Sequence, residues 1–171
     1  MRNKKPILNT KRLSLHAIED KDQEALIEII TDPLVTKSYM IPDFDSKENA
    51  ILYFKKLKDI TYSDKYIVYG IYLKDKIIGF INSVSIEDKE VEMGYFISSK
   101  EWNKGYATEA FEAVIKELFD MGFESVLAAH FEENPASGKV MQKCGLKRID
   151  KEEIIDYRNK ERRAIYYQIC K

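Results

Sequence analysis

The segment from Glu92 to Ala110 has the residue types and spacing best suited to chemistry in this chain. An apolar stretch, Val91 to Ile97, runs into a short polar loop, and Gly105 and Ala107 then open a long amphipathic pattern. The first N–H groups of a helix have no partner inside it and carry the positive end of its dipole, so they suit a phosphate or pyrophosphate. Gly105 lets the backbone approach such a ligand closely, and Ala107 leaves space for it. Further donors could come from the side chains of Asn103, Lys104 and Thr108.

This junction is a weak signal by itself, since a single glycine between a strand and a helix often serves only to form the loop. The chain has neither the GK[ST] triplet of a Walker A loop nor the G-x-G-x-x-G of a dinucleotide-binding fold. Cys144 and Cys170 are far apart, and with only His16 and His130 beside them no metal-ligand spacing exists. We therefore expect no metal site, and we expect both cysteines to be small, partly buried apolar side chains.

Length and composition narrow the class of protein. The 171 residues are 44% hydrophobic and 33% charged, which predicts one folded domain over residues 1–171 rather than a disordered chain. Lys and Arg number 28 and Asp and Glu 29, and this balance argues against a nucleic-acid binder. No apolar run is long enough to cross a bilayer, and residues 1–8 lack the apolar stretch of a signal peptide. We expect a cytoplasmic protein with no membrane partner.

The first third of the chain predicts a strand followed by two helices. Thr10 to Ile18 alternates apolar residues, as a strand does. Asp20 and Ser46 are the expected N-caps of the two helices, the first of which ends near Pro33. The inner faces of these helices are expected to carry Leu26, Ile29 and Ile30, and Ala50, Phe54 and Leu57.

The middle of the chain changes to the period of strands. Tyr66–Leu73 and Ile77–Ser85 flank a short charged turn and predict an antiparallel hairpin, and Val91–Ile97 follows as a third strand. The strongest helical pattern comes next and is stopped by Gly122. Its apolar positions are Ala107, Ala110, Phe111, Val114, Ile115, Leu118 and Met121.

The last third of the chain predicts a strand at Ser125–Phe131 and a short helix at Asn134–Lys143. Two further strands are expected near Leu146–Ile149 and at Arg163–Cys170. The order is therefore β-α-α-β-β-β-α-β-α-β-β. One β-α-β step in an otherwise antiparallel series predicts a mixed α/β fold, with helices on the faces of the sheet.

Three segments in this order resemble one protein family. Trp102 to Ala110 (WNKGYATEA) resembles the pyrophosphate-binding motif of the GNAT N-acetyltransferase superfamily, in particular the branch containing the ribosomal-protein N-terminal alanine and serine acetyltransferases. Asn134 to Gly145 (NPASGKVMQKCG) is similar to the second family motif, and Leu8 to Leu15 to the first strand of this branch. The resemblance covers the chain from about Leu8 to Ile169.

The resemblance implies an acetyl-CoA-dependent N-acetyltransferase with a GNAT-like fold. Its sheet would be mostly antiparallel, with helices on both faces and a splay between the strands Val91–Ile97 and Ser125–Phe131. The splay would admit the pantetheine arm, which Asn134 and the backbones of Phe96 and Ile97 would bind. Ser137 would lie near the thioester sulfur. The pyrophosphate would be held by Asn103, Lys104, Gly105, Tyr106, Ala107 and Thr108.

Two residues depart from the pattern of many family members. Trp102 stands where many have Gln or Arg, which fits the ribosomal-type branch. Met141 stands where many have a tyrosine that acts as the general acid. A tyrosine acid at that position is therefore excluded, and Ser137 or water is expected to protonate the leaving thiolate.

The resemblance also implies direct attack of the amine on the thioester, so neither cysteine is needed as a nucleophile. The base is expected to be a carboxylate or an ordered water near the thioester. Glu92 is the predicted base, because it lies on the strand that leads into the first motif and matches an acidic position in this branch. The alternative is a solvated or ion-paired strand carboxylate. Glu109 is explained without catalysis by the positive end of the helix dipole.

The acceptor is predicted to be the N-terminal amine of a protein or peptide. An α-amine has a pKa of about 7.7–8.0 and a lysine amine about 10.4, so a site with one carboxylate suits the more easily neutralised α-amine. The family position of the acceptor site points to Tyr39, Phe44 and Tyr157 as substrate-binding residues. The alternatives are an acetyltransferase of a small amine (a polyamine, an amino acid or an aminoglycoside) and a catalytically silent acyl-CoA-binding module. We expect a monomer or a homodimer.

Overall fold

The computed structural model describes residues 5–171, which form eight strands and five α-helices. In the N-terminal half these are β1 (Leu8–Asn9), β2 (Leu13–His16), α1 (Gln23–Ile30), α2 (Pro33–Ser38), α3 (Lys47–Ile60), β3 (Val68–Leu73) and β4 (Lys76–Glu87). In the C-terminal half they are β5 (Glu90–Ile97), α4 (Tyr106–Asp120), β6 (Ser125–Phe131), α5 (Pro135–Lys143), β7 (Lys147–Asp156) and β8 (Glu161–Cys170). No helix within the described residues is both long and apolar enough to span a membrane.

The sheet is mixed and mostly antiparallel. From edge to edge its strand order is β1-β2-β3-β4-β5-β6-β8-β7. Every neighbouring pair is antiparallel except β5 and β6, which are joined through α4 and run parallel. This arrangement confirms the fold class predicted from the order of elements.

Helices cover both faces of the sheet, as predicted. On one face α4 buries its apolar side against β2, β3, β5 and β6, together with Met141 of α5. On the other face α1, α2 and α3 form a second core. The buried helical residues of this second core are Leu26, Ile29, Ile30, Val35, Phe54 and Leu57. The two cores hold the central strands from both sides, and this fixes the geometry of the space between β5 and β6.

The predicted splay between β5 and β6 is confirmed. The two strands pair only over Glu90–Glu92 and Ser125–Leu127. Beyond that point β5 continues to Ile97 paired only with β4, and β6 continues to Phe131 paired only with β8. A wedge-shaped gap therefore opens between the C-terminal ends of the two parallel strands.

The N-terminal elements differ from the expectation in two places. Instead of one strand over Thr10–Ile18, β1 and β2 are joined by a tight connection in which the N–H of Thr10 donates to the carbonyl of Leu13 at 2.9 Å. Asp20 does not cap α1 but lies in a single 3-10 turn that precedes it. The connection at Thr10 allows β1 to fold back and pair antiparallel with β2.

The helix α2 was not predicted. Asp32 caps it by accepting from the N–H of Leu34 at 2.9 Å, and Pro33 occupies its first position, where the missing N–H costs nothing. Six residues are too few to show a helical period, so the segment looked like a helix end followed by a loop. Met121, expected in the core, lies past the end of α4 and is 50% exposed.

Gly79 is a position in the sheet where no side chain fits. A Cβ there would lie 2.1 Å from the carbonyl oxygen of Phe96 on the neighbouring strand. We expect Gly79→Ala to lower the free energy of unfolding by about 3 kcal/mol, the upper end for overpacking, because backbone has to move. Gly94→Ala is the control, since its nearest neighbour would be at an ordinary 3.4 Å. Chemical denaturation of both variants checks this, and equal stabilities would contradict it.

Candidate active site

Two cavities open where β5 and β6 separate. The first, of about 460 Å³, lies between the N-terminal ends of α4 and α5, and we call it the helix cavity. The second, of about 370 Å³, lies among β4, β5, β6 and β8, and we call it the strand cavity. Four residues line both cavities, namely Ser38, Tyr39, Asn134 and Ser137. The cavities are therefore adjoining parts of one cleft, and we call their shared wall the junction.

The start of α4 forms one wall of the helix cavity. Gly105, its N-cap residue, has a φ of +81° and no side chain with which to cap the helix. Within residues 5–171 no backbone carbonyl accepts a hydrogen bond from the N–H groups of residues 103–108. Free N–H groups at the positive end of a 15-residue helix suit an anion. The cavity-lining residues of this segment are Asn103, Gly105, Tyr106, Ala107 and Thr108, all predicted from sequence.

The lysines that line the helix cavity are not the one predicted from sequence, Lys104. Lys104 turns its ammonium group to Glu101 at 2.8 Å, and its side chain is not part of the cavity lining. Lys139 and Lys143, one turn apart on α5, do line the helix cavity, and neither forms an ion pair within the described part of the chain. Sequence reasoning missed them, although their spacing of four residues without an acidic partner on α5 was a usable signal.

Three hydrogen-bonded residues, Thr10, Arg12 and Glu109, support the loop before α4, and we call them the clamp. Glu109 accepts hydrogen bonds from the Thr10 hydroxyl and from the Arg12 backbone N–H and guanidinium, each at 2.7 Å. The Arg12 guanidinium also donates to the carbonyl of Lys104 at 2.9 Å. Burial acts to raise the pKa of Glu109, but these hydrogen bonds and the Arg12 charge outweigh it and hold the pKa below its ordinary value. Glu109 therefore has a role beyond the helix dipole: it fixes Arg12 against the loop.

The end of β5 contributes one residue to each cavity. Phe96 lines the strand cavity and Ile97 lines the helix cavity. The carbonyl of Ile97 accepts a hydrogen bond from the Trp102 indole at 2.8 Å, so the protein itself already engages this carbonyl. The same bond fixes Trp102 in the wall of the helix cavity.

Glu92 lies in the wall of the strand cavity and is half-buried. Among the described residues no group donates a hydrogen bond to its carboxylate. Burial raises its pKa above the ordinary value, partly offset by the charge of Lys151. Its neighbour Tyr166 is buried and donates to Glu153 at 2.9 Å rather than to Glu92. Glu92 is thus a desolvated carboxylate with free acceptor capacity, as a base requires.

Ser137 and Tyr95 connect α5 to β5 at the junction. The hydroxyl of Tyr95 donates to the Ser137 carbonyl at 3.0 Å, and the Ser137 hydroxyl lies 3.4 Å from the Tyr95 oxygen, to which it donates. Both residues are buried. The Ser137 side chain, predicted near the thioester, is therefore in the cleft, but its proton is directed to Tyr95.

Phe44 and Tyr157 do not line either cavity, in contrast to Tyr39. Phe44 packs against Tyr53, with ring centroids 5.3 Å apart. Tyr157 is buried, and its hydroxyl lies within 2.7–3.0 Å of the carbonyls of Thr36, Tyr39 and Ile41. Sequence could not show that the Tyr157 ring points inward, where it holds the segment that carries Tyr39.

Neither cysteine lines the helix cavity or the strand cavity. Cys144 is buried as predicted, and burial raises its pKa to about 12, so the thiol stays protonated. Cys170 is exposed, contrary to the expectation of partial burial. Within residues 5–171 no three His, Cys, Asp or Glu side chains are grouped so as to hold a metal ion.

Comparison with known proteins gives consistent matches. Residues 12–147 match the family model described as an acetyltransferase (GNAT) domain. The uncharacterized N-acetyltransferase YoaA of Bacillus subtilis strain 168 is 30% identical over 148 residues, 84% of each chain. A GNAT-family acetyltransferase from Bacillus anthracis has a similar structure, with a TM-score of 0.83 and 27% identity over 96% of this chain and 98% of that one. The ribosomal L7/L12 alpha-N-protein acetyltransferase RimL, solved with coenzyme A, has a TM-score of 0.83 at 15% identity, over 96% of this chain and 98% of its own.

Proposed function

Because the chain belongs to the GNAT acetyltransferase family and is an N-acetyltransferase, we propose that it moves the acetyl group of acetyl-CoA to the N-terminal amine of a protein or peptide. The observation that carries this proposal is the place of Glu92. Its unpaired, half-buried carboxylate lies in the strand cavity, and the helix cavity beyond the junction suits a pyrophosphate.

The residues of the helix cavity fit acetyl-CoA. The free N–H groups at the start of α4 would bind the pyrophosphate, and Lys139 and Lys143 would add positive charge beside it. The splay would admit the pantetheine arm between Ile97 and Asn134, which brings the thioester to the junction. Once bound there, acetyl-CoA supplies an activated acetyl group within reach of an amine in the strand cavity.

The clamp at Arg12 supplies a test of the pyrophosphate assignment. We expect Arg12→Ala to raise the Kd for acetyl-CoA about tenfold, because the carbonyl of Lys104 loses a charge-assisted donor and the loop loses its support. Lys11→Ala, at an exposed neighbouring lysine, removes the same charge without the contact. Isothermal titration of both variants measures the difference, and equal affinities would separate the clamp from cofactor binding.

The walls of the strand cavity favour a peptide as the acceptor. Met40 and Val84 line this cavity and are 57% and 60% exposed, so they present apolar surface at its mouth. Such surface suits the side chains next to a terminal amine, whereas a polyamine or an aminoglycoside would need several carboxylates. Among residues 5–171, Glu92 is the one acidic residue in the lining of this cavity.

The protonation states also favour an α-amine. Its pKa of about 7.7–8.0 leaves roughly one molecule in ten neutral at pH 7, against about one lysine in two thousand. Most α-amines are therefore still protonated at pH 7. Burial raises the pKa of Glu92, which makes its carboxylate a stronger base for removing that proton. Glu92 would take the proton of the amine, directly or through one water, as the amine attacks.

Thiol release from acetyl-CoA tests this proposal, with short peptides that differ in the N-terminal residue and with small amines assayed in parallel. We expect turnover with peptides and its loss when their N-termini are blocked. Turnover only with polyamines, amino acids or aminoglycosides would replace the proposed acceptor by a small molecule. Binding of acetyl-CoA without turnover on any amine would favour a silent acyl-CoA-binding module.

A further inference from the structure

Tyr39 is the only tyrosine that lines both cavities within the described part of the chain. Its hydroxyl lies beside the side chains of Ser137 and Asn134, the two residues of α5 and its N-cap that form the opposite side of the junction. Its ring packs against Phe96 on β5, with centroids 6.0 Å apart. The phenol is therefore placed where the thioester of a ligand spanning the two cavities would lie.

The backbone of the segment that carries Tyr39 is held by hydrogen bonds from Tyr157 and Arg162. Tyr157, on the connection between β7 and β8, shares its hydroxyl proton among the carbonyls of Thr36, Tyr39 and Ile41 and accepts from the Ile41 N–H at 3.2 Å. Arg162 adds a bond to the carbonyl of Lys37 at 2.9 Å. These bonds fix both ends of residues 36–41, so the Tyr39 side chain is presented to the junction by an ordered backbone.

Other groups near the junction are poorly suited to donate a proton to sulfur. Met141 has no proton to give. The Ser137 hydroxyl lies 3.4 Å from the Tyr95 oxygen and beside the Tyr39 hydroxyl, and it is a much weaker acid than a phenol. The hydroxyl of Tyr95 is itself engaged by the carbonyl of Ser137. His130 has one ring nitrogen 2.8 Å from the Phe131 carbonyl and the other packed against Gly138.

On the basis of the acetyl transfer proposed above, we propose that Tyr39 is the general acid, whose hydroxyl protonates the sulfur of CoA as the thioester bond breaks. The amine nitrogen forms a bond to the acetyl carbon, the carbon–sulfur bond breaks, and its electron pair stays on sulfur. Sulfur takes the Tyr39 proton, and the amine nitrogen loses a proton to Glu92. Glu92 then releases that proton to solvent water, and Tyr39 regains one from it, so both residues return to their starting states. The phenol of Tyr39, the residue that follows α2, thus replaces the tyrosine that the family pattern would place at Met141.

The acidity of CoA bound to the protein tests this assignment without turnover. A hydrogen bond from Tyr39 stabilises the thiolate more than the thiol, so its removal raises the pKa of the bound thiol. We expect Tyr39→Phe to raise that pKa by about one unit, the effect of one hydrogen bond to a charged group. The pKa is read from the ultraviolet absorbance of the CoA thiolate as pH is raised, with protein in excess.

Tyr53→Phe is the matched control for this experiment. Tyr39 and Tyr53 are both half-buried, and burial raises the pKa of each phenol. Tyr53, however, lies on α3 and lines neither cavity. We expect this control to leave the thiol pKa and the kcat unchanged. Melting temperatures of both variants show that the fold is retained.

The kcat of the Tyr39→Phe variant is a second, independent test. We expect Tyr39→Phe to lower kcat about 100-fold with the Kd for acetyl-CoA unchanged, since a general acid contributes at least that much. The loss should shrink with an acetyl thioester of a more acidic thiol, which leaves without protonation.

The outcomes separate this proposal from the function on which it rests. Equal thiol pKa values in wild type and Tyr39→Phe, or an equal loss of kcat with both thioesters, would overturn the role of Tyr39 and leave water or Ser137 as the donor. If the wild-type protein binds neither CoA nor acetyl-CoA, the proposed function fails first.

Discussion

Replacement of Gly105 by valine is expected to raise the Kd for acetyl-CoA at least about 100-fold, equal to about 2.8 kcal/mol. Gly105 has a φ of +81°, a conformation that costs a β-branched residue energy, and its backbone lines the helix cavity. A side chain there would also press on the Arg12 guanidinium, which lies 3.3 Å from the position of a Cβ. The valine would displace the free N–H groups at the start of α4 and occupy the space of the pyrophosphate.

Gly122→Val is the control for backbone strain. Gly122 follows the other end of the same helix, also has a positive φ, +101°, and has open space around its Cβ position. Both variants should lose stability through the strained backbone, but only Gly105→Val should lose acetyl-CoA binding. Titration calorimetry and thermal melts of the two proteins measure these effects separately. A normal Kd in Gly105→Val would remove the pyrophosphate from this end of α4.

Replacement of Glu92 by glutamine is expected to lower kcat/KM about 100-fold or more, with the Kd for acetyl-CoA nearly unchanged. The glutamine keeps the shape of the side chain but cannot take a proton. The loss should be largest below the pKa of the acceptor amine, where most amines still carry the proton that Glu92 removes. Wild-type activity should fall again once pH drops through the raised pKa of Glu92, and the variant should lack this limb.

Stability should change in the opposite direction from activity in this variant. Burial raises the pKa of Glu92 in the folded protein, so its ionisation lowers stability as pH rises from its unfolded pKa through its folded pKa. Glu92→Gln should therefore unfold at a higher temperature than wild type at neutral pH. Glu90→Gln is the control, because Glu90 lies on the same strand but bonds to Ser125 and Gln168. An unchanged pH–rate profile in Glu92→Gln would exclude it as the base.

The sequence predicted those elements whose pattern is strong and local. The strand Ser125–Phe131 has its predicted bounds, and α4 contains every residue of the predicted helical pattern except Met121. A run of apolar residues or a long helical period needs no distant partner. The edge strand β7, by contrast, runs to Asp156 instead of Ile149. Its residues are mostly charged and exposed and follow no alternation, so its pairing with β8 alone defines it.

Within the site, motifs predicted the backbone positions better than the directions of side chains. The loop before α4 and the residues Asn134 and Ser137 lie in the cleft as the family resemblance implied. Tyr39 and Tyr157 looked equivalent in sequence, yet one faces the junction and the other lies beneath it. That distinction depends on contacts between residues about 120 positions apart, which no local pattern encodes.

The position of β8 has a consequence for synthesis of the chain on the ribosome. β8 is inserted between β6 and β7, although both are made before it, and it pairs with β6 from Ser125 to Phe131. Until residues 161–170 emerge, β6 is an open edge of apolar residues, of the kind that joins other chains. The cleft is therefore completed only when β8 is added. Nascent chains should be inactive before that point, and they should be most prone to aggregate just before it.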